Sequence, residues 1–328
     1  MTPENIRALN KVELHLHIEG AAPPVFIREL AAEQNVDLSR IFDADGGYEW
    51  DDFAAFLRTY EAACTVLRGP EEFRRLTEAV LAAQAAQNVI YTEHFLAPDL
   101  CGGGDPGAWH EHLAAIVEGA ANARAAHGIE VRFISTCIRH LGPEQAAHTA
   151  RISAETASDM LTGFGMGGEE RHLMPGDFAP AFAIAEEAGL ALTCHAGEIC
   201  GADMVRATLD AINVTRIGHG VRAIEDPQLV RRLADEGIVL EVNPGSNIAL
   251  SVFPDWPSHP IERLRQAGVP VTVSTDDPPY FHVTLQDDYE NLNRFHGWAE
   301  MDFRDQNRVA MDAAFCDTDT RARINARL

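Results

Sequence analysis

Four histidines, two aspartates and a glutamate stand where short β-rich runs end: His15 and His17 in "VELHLHI", His195 and Glu198 in "LALTCHAGE", His219 in "TRIGHG", Asp276 and Asp277 in "PVTVSTDD". Imidazole and carboxylate are costly to bury unless paired or metal-bound, so their recurrence at such places asks for an ion. Imidazole nitrogens with one carboxylate suit Zn²⁺ and leave a position open for water. His15, His17, His195 and Asp276 are the expected ligands of one zinc per chain. Within the first run, the two-residue period of a strand places Glu13, His15 and His17 on one face, opposite Val12, Leu14, Leu16 and Ile18.

Each element has a plainer explanation. A lone H-x-H on a strand is more often structural than metal-binding, and a "TDD" after a strand is a common helix N-cap. Plain explanations at four separate strand ends are hard to sustain together. His94, His110, His112, His140 and His172 keep theirs, as solvated or internally satisfied side chains. "WHEHLAAI" is not H-E-x-x-H, and H-x-E with P-C-x-x-C is absent. Metalloprotease and cysteine-ligated nucleobase deaminase chemistry are thereby unsupported.

Lys11 is the only lysine. A Schiff-base aldolase needs a buried lysine at a strand's C-terminal end, whereas Lys11 precedes the first strand. A carboxylated lysine bridging two metals is likewise ruled out, which favours a single metal.

Strands must carry these residues, and eight β-rich runs recur at 12–18, 89–95, 130–136, 161–166, 190–196, 215–220, 238–244 and 270–277. Helical patterns such as "DPQLVRRLADEG" and "PIERLRQAG" lie between them, both ending in the glycine usual just past a helix. Alternating strand and helix implies a parallel sheet, and eight strands imply a closed (β/α)₈ barrel whose site lies at the C-terminal strand ends. No glycine-rich fingerprint follows the first strand to support a doubly wound open sheet. The stretch 21–88 is too long for one crossover; extra helices are expected there, with "DDFAAFLRTYEAACTVL" roofing the barrel mouth. Residues 1–328 read as a single domain.

Composition narrows the partners. A net charge of −24 repels phosphate backbones and anionic lipid, so neither nucleic acid nor membrane is expected to bind. No apolar run approaches the roughly 20 residues of a membrane span, and the N-terminus has no secretory h-region. Six cysteines without paired spacing fit a reducing cytoplasm. Nothing in the sequence specifies an oligomeric state.

"KVELHLHIEGA", "HAGE", "RIGHG", "NPGSN" and "VSTDDP" occur in the order of the motifs of the adenosine and adenine deaminase branch of the amidohydrolase superfamily, which the chain resembles over nearly its whole length. The resemblance implies a mononuclear zinc (β/α)₈ enzyme that hydrolyses the 6-amino group of a purine. It implies His15, His17, His195 and Asp276 as ligands, Glu198 as the acid that protonates purine N1, and His219 as the group that orients and deprotonates the attacking water. It assigns N7 to Asp277 and N3 to the backbone N–H of Gly168, although "GFGMGGEE" departs from the usual "DLAG". Glu19 stands where adenosine enzymes commonly have Asp, a place often held by Glu in branches acting on adenine or larger derivatives. Gly218 resembles adenosine enzymes instead. With the small residues after Glu19, it favours adenosine (and 2'-deoxyadenosine) over free adenine, the alternative.

The chemistry is consistent with these roles. Zinc lowers the pKa of water from 15.7 to roughly 7. A proton on N1 lets the ring accept electrons during attack at C6, which calls for Glu198 to be protonated near neutrality. A dry pocket shared with Asp276 and Asp277 pushes it that way.

Overall fold

The computed structural model describes residues 1–328, the side chain of Phe53 excepted. Eight parallel strands pair in chain order: β1 (Lys11–His17), β2 (Val89–Leu96), β3 (Glu130–Ile138), β4 (Leu161–Gly167), β5 (Ala191–Ala196), β6 (Arg216–His219), β7 (Val239–Val242) and β8 (Val271–Val273). Beyond β8 the ring is closed on β1 by main-chain bonds from His17 N to Asp276 O and from Asp276 N to His15 O, each 3.1 Å. With helices between the strands, this is the expected (β/α)₈ barrel.

One strand breaks the two-residue period. Glu13 pairs with Thr92 and Leu16 with His94, so three steps along β1 match two along β2. The extra residue makes a bulge, and Ser274 Oγ accepts both N–H groups inside it, from Leu14 and His15, at 3.2 Å each. Glu13 consequently does not share a face with His15 and His17, as strict alternation had it. It turns to the helix Pro70–Ala85, where Gln84 Nε2 donates to its Oε2 (2.7 Å) and the Thr275 hydroxyl to its Oε1 (2.5 Å).

The N-terminal mouth of the barrel is filled from the C-terminal tail. Phe315 packs on Phe95 and Ile134, and a Cβ on Gly163 would stand 2.8 Å from its ring. The Arg216 guanidinium lies 3.6 Å from the Phe315 ring centroid. Lys11 opens β1 rather than preceding it. Its ammonium donates to the carbonyls of Arg7, Leu9 and Gln87, and burial lowers it to about 8. It stands at the N-terminal end of the strand, away from the tips that carry the histidines.

Three α-helices occupy the stretch between β1 and β2: Pro24–Gln34, Phe53–Cys64 and Pro70–Ala85. The second starts at Asp52, whose carboxylate accepts from Ala55 N at 2.7 Å. Its Phe56, Leu57 and Tyr60 fall on one face, one to four residues apart, and line the opposite, C-terminal mouth. Among the described residues, no helix is long and apolar enough to cross a membrane.

Candidate active site

The strand tips bring four of the expected residues into one cluster. His17 ends β1, His195 lies one residue from the end of β5, and Asp276 follows β8. His17 Nε2 stands 3.1 Å from His195 Nε2 and 3.4 Å from Asp276 Oδ1. His15 Nε2 is also 3.4 Å from Asp276 Oδ1, and the His15 and His195 ring centroids are 4.5 Å apart. One ligand atom from each of the four lies within 4.8 Å of the others.

These residues fit a divalent metal on their own evidence. His15 Nε2 is fully buried at the centre of the cluster without a hydrogen-bond partner. Burial opposes a charge on His15, yet Asp276 and Glu241 outweigh it and lift the imidazole to about 9, so the cluster draws positive charge to its middle. Burial likewise opposes ionisation of Asp276. The imidazoles of His219, His15 and His17 overcome it and hold the carboxyl well below its usual range. Imidazole with carboxylate is the donor set of Zn²⁺.

A second group faces the first. His219 Nε2 lies 3.7 Å from Glu198 Oε2 and 3.8 Å from Asp276 Oδ2. Its ring is aimed by the amide nitrogens of Asn243 and Asn247, each 3.3 Å from Nδ1. Burial pushes His219 down to about 3, leaving a neutral imidazole. Burial, then the charges of Asp276 and Glu170, push Glu198 well above the carboxylate range, toward the protonated form. An uncharged base and a protonated acid side by side can move two protons in opposite directions.

The backbone is bent to achieve this. His219 has φ 61° and Asp276 φ 70°, left-handed conformations that cost non-glycine residues about 1–3 kcal/mol each. β6 ends at His219 and β8 at Val273, earlier than the runs 215–220 and 270–277 indicate, and the bends at His219 and Asp276 turn both side chains onto the mouth. The Ser246 hydroxyl donates to Asp276 Oδ2 at 2.7 Å and fixes that carboxylate.

The remaining expected residues line the cavity over the cluster, about 330 Å³ in volume: Glu19, Gly168 and Asp277. Burial, then Asp276 and Glu198, raise Asp277 well above its usual range. Its carboxyl rests on the Gly20 backbone, where any Cβ would collide with it. Gly168 has φ 98°, and a Cβ there would stand 3.0 Å from His140 Nδ1. Glu19 is 2% exposed, its Oε1 has no partner, and burial raises its carboxyl to about 7. Six carboxylates line the cavity and, among the described residues, no lysine or arginine does.

Sequence reasoning missed Glu241. It lies within β7, and its Oε2 accepts from His15 Nδ1 at 2.7 Å. Burial would raise it, but Arg216, 2.6 Å away, and His15 bring it down to about 2. The signal was an acid inside the otherwise apolar "VLEV". "NPGSN" was legible as a motif, but not the roles of its Asn243, Ser246 and Asn247.

Known proteins match at every level. An adenine deaminase of Rhizobium leguminosarum bv. trifolii is 48% identical over 320 residues, covering 98% of this chain and 99% of the relative. The crystal structure of an adenine deaminase from Arthrobacter aurescens superposes with a TM-score of 0.89 at 28% identity, covering 98% of each chain. An amidohydrolase from Burkholderia ambifaria, crystallised with bound Zn, does so at 0.85 and 26%, covering 99% of this chain and 90% of its own. The family model described as adenosine deaminase matches residues 10–328, a span that holds all the strand tips of the site. The chain therefore belongs to the adenosine deaminase family and is a purine deaminase, a hydrolase.

Proposed function

We propose that this protein hydrolyses the 6-amino group of free adenine, releasing hypoxanthine and ammonia, with one Zn²⁺ held by His15, His17, His195 and Asp276. The observation that carries the choice of substrate is Glu19, a buried carboxyl in the wall of the cavity, raised to about 7 by burial and with one oxygen unpartnered. Free adenine has an N9–H donor for such an oxygen, and a nucleoside carries ribose at that atom. The relatives at 45–48% identity, adenine deaminases all, support the same choice. Nucleotides are disfavoured because, among the described residues, no lysine or arginine lines the cavity to meet a phosphate.

Adenosine, the substrate favoured from the sequence, rested on Gly218 and on the small residues after Glu19. That glycine has another cause: a Cβ there would stand 2.9 Å from His15 Cε1 and 3.2 Å from His195 Cα. A side chain there would have to push aside two histidines of the cluster, so the glycine also relieves local crowding and does not by itself argue for ribose.

The metal supplies Lewis acidity, lowering the pKa of water to about 7. Glu198, its carboxyl pushed toward the protonated form by burial, donates to ring N1 and draws electrons away from C6. His219, neutral and held by Asn243 and Asn247, orients the attacking water and takes its proton. Asp277, whose carboxyl burial likewise raises toward the protonated form, donates to N7, and the Gly168 backbone meets N3. The roof helix with Phe56, Leu57 and Tyr60 keeps bulk water off the ring.

The test is ammonia release from adenine, adenosine and AMP by zinc-loaded protein. Adenine is expected to exceed both in kcat/KM by at least about 10²-fold, as for sites that hydrogen-bond an atom the competitor lacks. Equal or faster turnover of adenosine would refute the assignment.

A further inference from the structure

The carboxylate of Glu170 lies behind the loop that carries Glu198. It accepts the main-chain N–H of Gly197 through Oε1, and those of Ile199 and Cys200 through Oε2 at 2.7 and 2.8 Å. Glu198 is thus bracketed on both sides by one side chain. Glu170 is itself 2% exposed and belongs to another part of the fold, the segment leaving β4. Gly168, at φ 98°, lets that segment turn sharply at the strand tip. The guanidinium of Arg139, just beyond β3, then donates to the Glu170 carbonyl at 2.8 Å. Three strand tips are stitched together behind Glu198.

The loop needs such a tether. Gly197 has φ 72° and is the pivot between His195 and Glu198. A glycine there is conformationally free, so the direction of the Glu198 carboxyl depends on what fixes the N–H groups around it. A buried N–H without an acceptor is costly, and one carboxylate supplies acceptors to three of them.

We infer that Glu170 is a positioning residue for proton transfer: it holds the 197–200 loop so that the Glu198 carboxyl meets the purine ring. This rests on the reading of Glu198 as the proton donor. Glu170 touches no reacting atom, and its effect on the reaction passes through Glu198.

A double-mutant cycle tests this on the full-length zinc-loaded protein with adenine as substrate. In Glu170→Gln the side-chain shape is kept, but an NH₂ faces one of the backbone donors and displaces the loop. The expected result is a kcat lower by about 10- to 100-fold, the cost of a misplacement near 1 Å, with KM and metal content within about twofold of the starting protein. In the Glu198→Gln background the same change is expected to alter kcat by less than about twofold, because nothing remains to be positioned. Equal losses in both backgrounds would mark Glu170 as a general structural residue and overturn the inference while leaving Glu198 as donor. Near-native turnover of Glu170→Gln would overturn it as well. Near-native turnover of Glu198→Gln would remove the donor and the inference together. If Glu170→Gln does not fold, Glu170→Asp, which keeps the charge with a shorter reach, takes its place in the cycle. Its loss must again be confined to proteins that retain Glu198.

Discussion

Glu241 Oε2 accepts from His15 Nδ1 at 2.7 Å, and that bond leaves Nε2 as the nitrogen facing Asp276. A histidine that binds a metal through one nitrogen is set by the partner of the other. The partner is set in turn: Arg216 lies 2.6 Å from Glu241 and 2.7 Å from Glu93, and the Thr193 hydroxyl donates to Glu241 Oε1 at 2.9 Å. The orientation of a ligand on β1 is thus decided by side chains on β2, β5, β6 and β7.

Glu241→Gln removes the charge while keeping the shape, and it is expected to weaken metal binding by about 10- to 100-fold, as for other carboxylates bonded to metal-ligating histidines. Competition with a chelator measures this directly. An unchanged affinity would show that His15 needs no such support.

For the metal itself, elemental analysis is expected to find one zinc per chain, with activity lost on chelation and restored by Zn²⁺. His17→Ala should lose most of the bound metal, because it removes one of four ligands. Two metals per chain, or full activity after chelation, would count against the site.

The proton donor predicts a pH profile. In the proposed role of proton donor, Glu198, whose carboxyl pKa is raised by burial, Asp276 and Glu170, works only while protonated. kcat should therefore be full below that pKa and fall as pH rises through it. His219, lowered to about 3, stays neutral across the accessible range and adds no acid limb near neutrality. Glu198→Gln should lower kcat by about 10²–10⁴-fold and abolish the alkaline limb. A limb that persists in Glu198→Gln would belong to another group.

The barrel and the metal cluster were legible because both rest on local pattern: a strand–helix rhythm, with histidines and aspartates where strands end. What escaped the sequence was set by contacts distant in the chain. The bulge that turns Glu13 away from His15 depends on Ser274, about 260 residues on. Glu241 becomes meaningful only when β7 lies beside His15, and Glu170 only when the segment after β4 folds behind Gly197. Gly218 was visible but misread: a glycine shows that space is short without saying what fills it.

Glu19 is the residue on which the choice of substrate turns. It sits two positions past His17 in the cavity wall, almost wholly buried, with its carboxyl raised to about 7 by burial. A protonated or half-protonated carboxyl there can accept from N9–H of adenine, and its bulk occupies volume beside that atom. The two contributions are separable. Glu19→Leu keeps much of the bulk but has no oxygen to accept from N9–H. It should lower kcat/KM for adenine by about three- to tenfold, the net worth of one neutral hydrogen bond, without improving adenosine. Glu19→Ala removes both; adenine should suffer at least as much, while the ratio of adenosine to adenine turnover rises as space opens for ribose. Comparing kcat/KM for the two substrates across the three proteins decides between bulk and bonding. If the ratio is the same in all three, Glu19 has no part in specificity, and the discrimination must come from the roof helix that carries Phe56 and Tyr60.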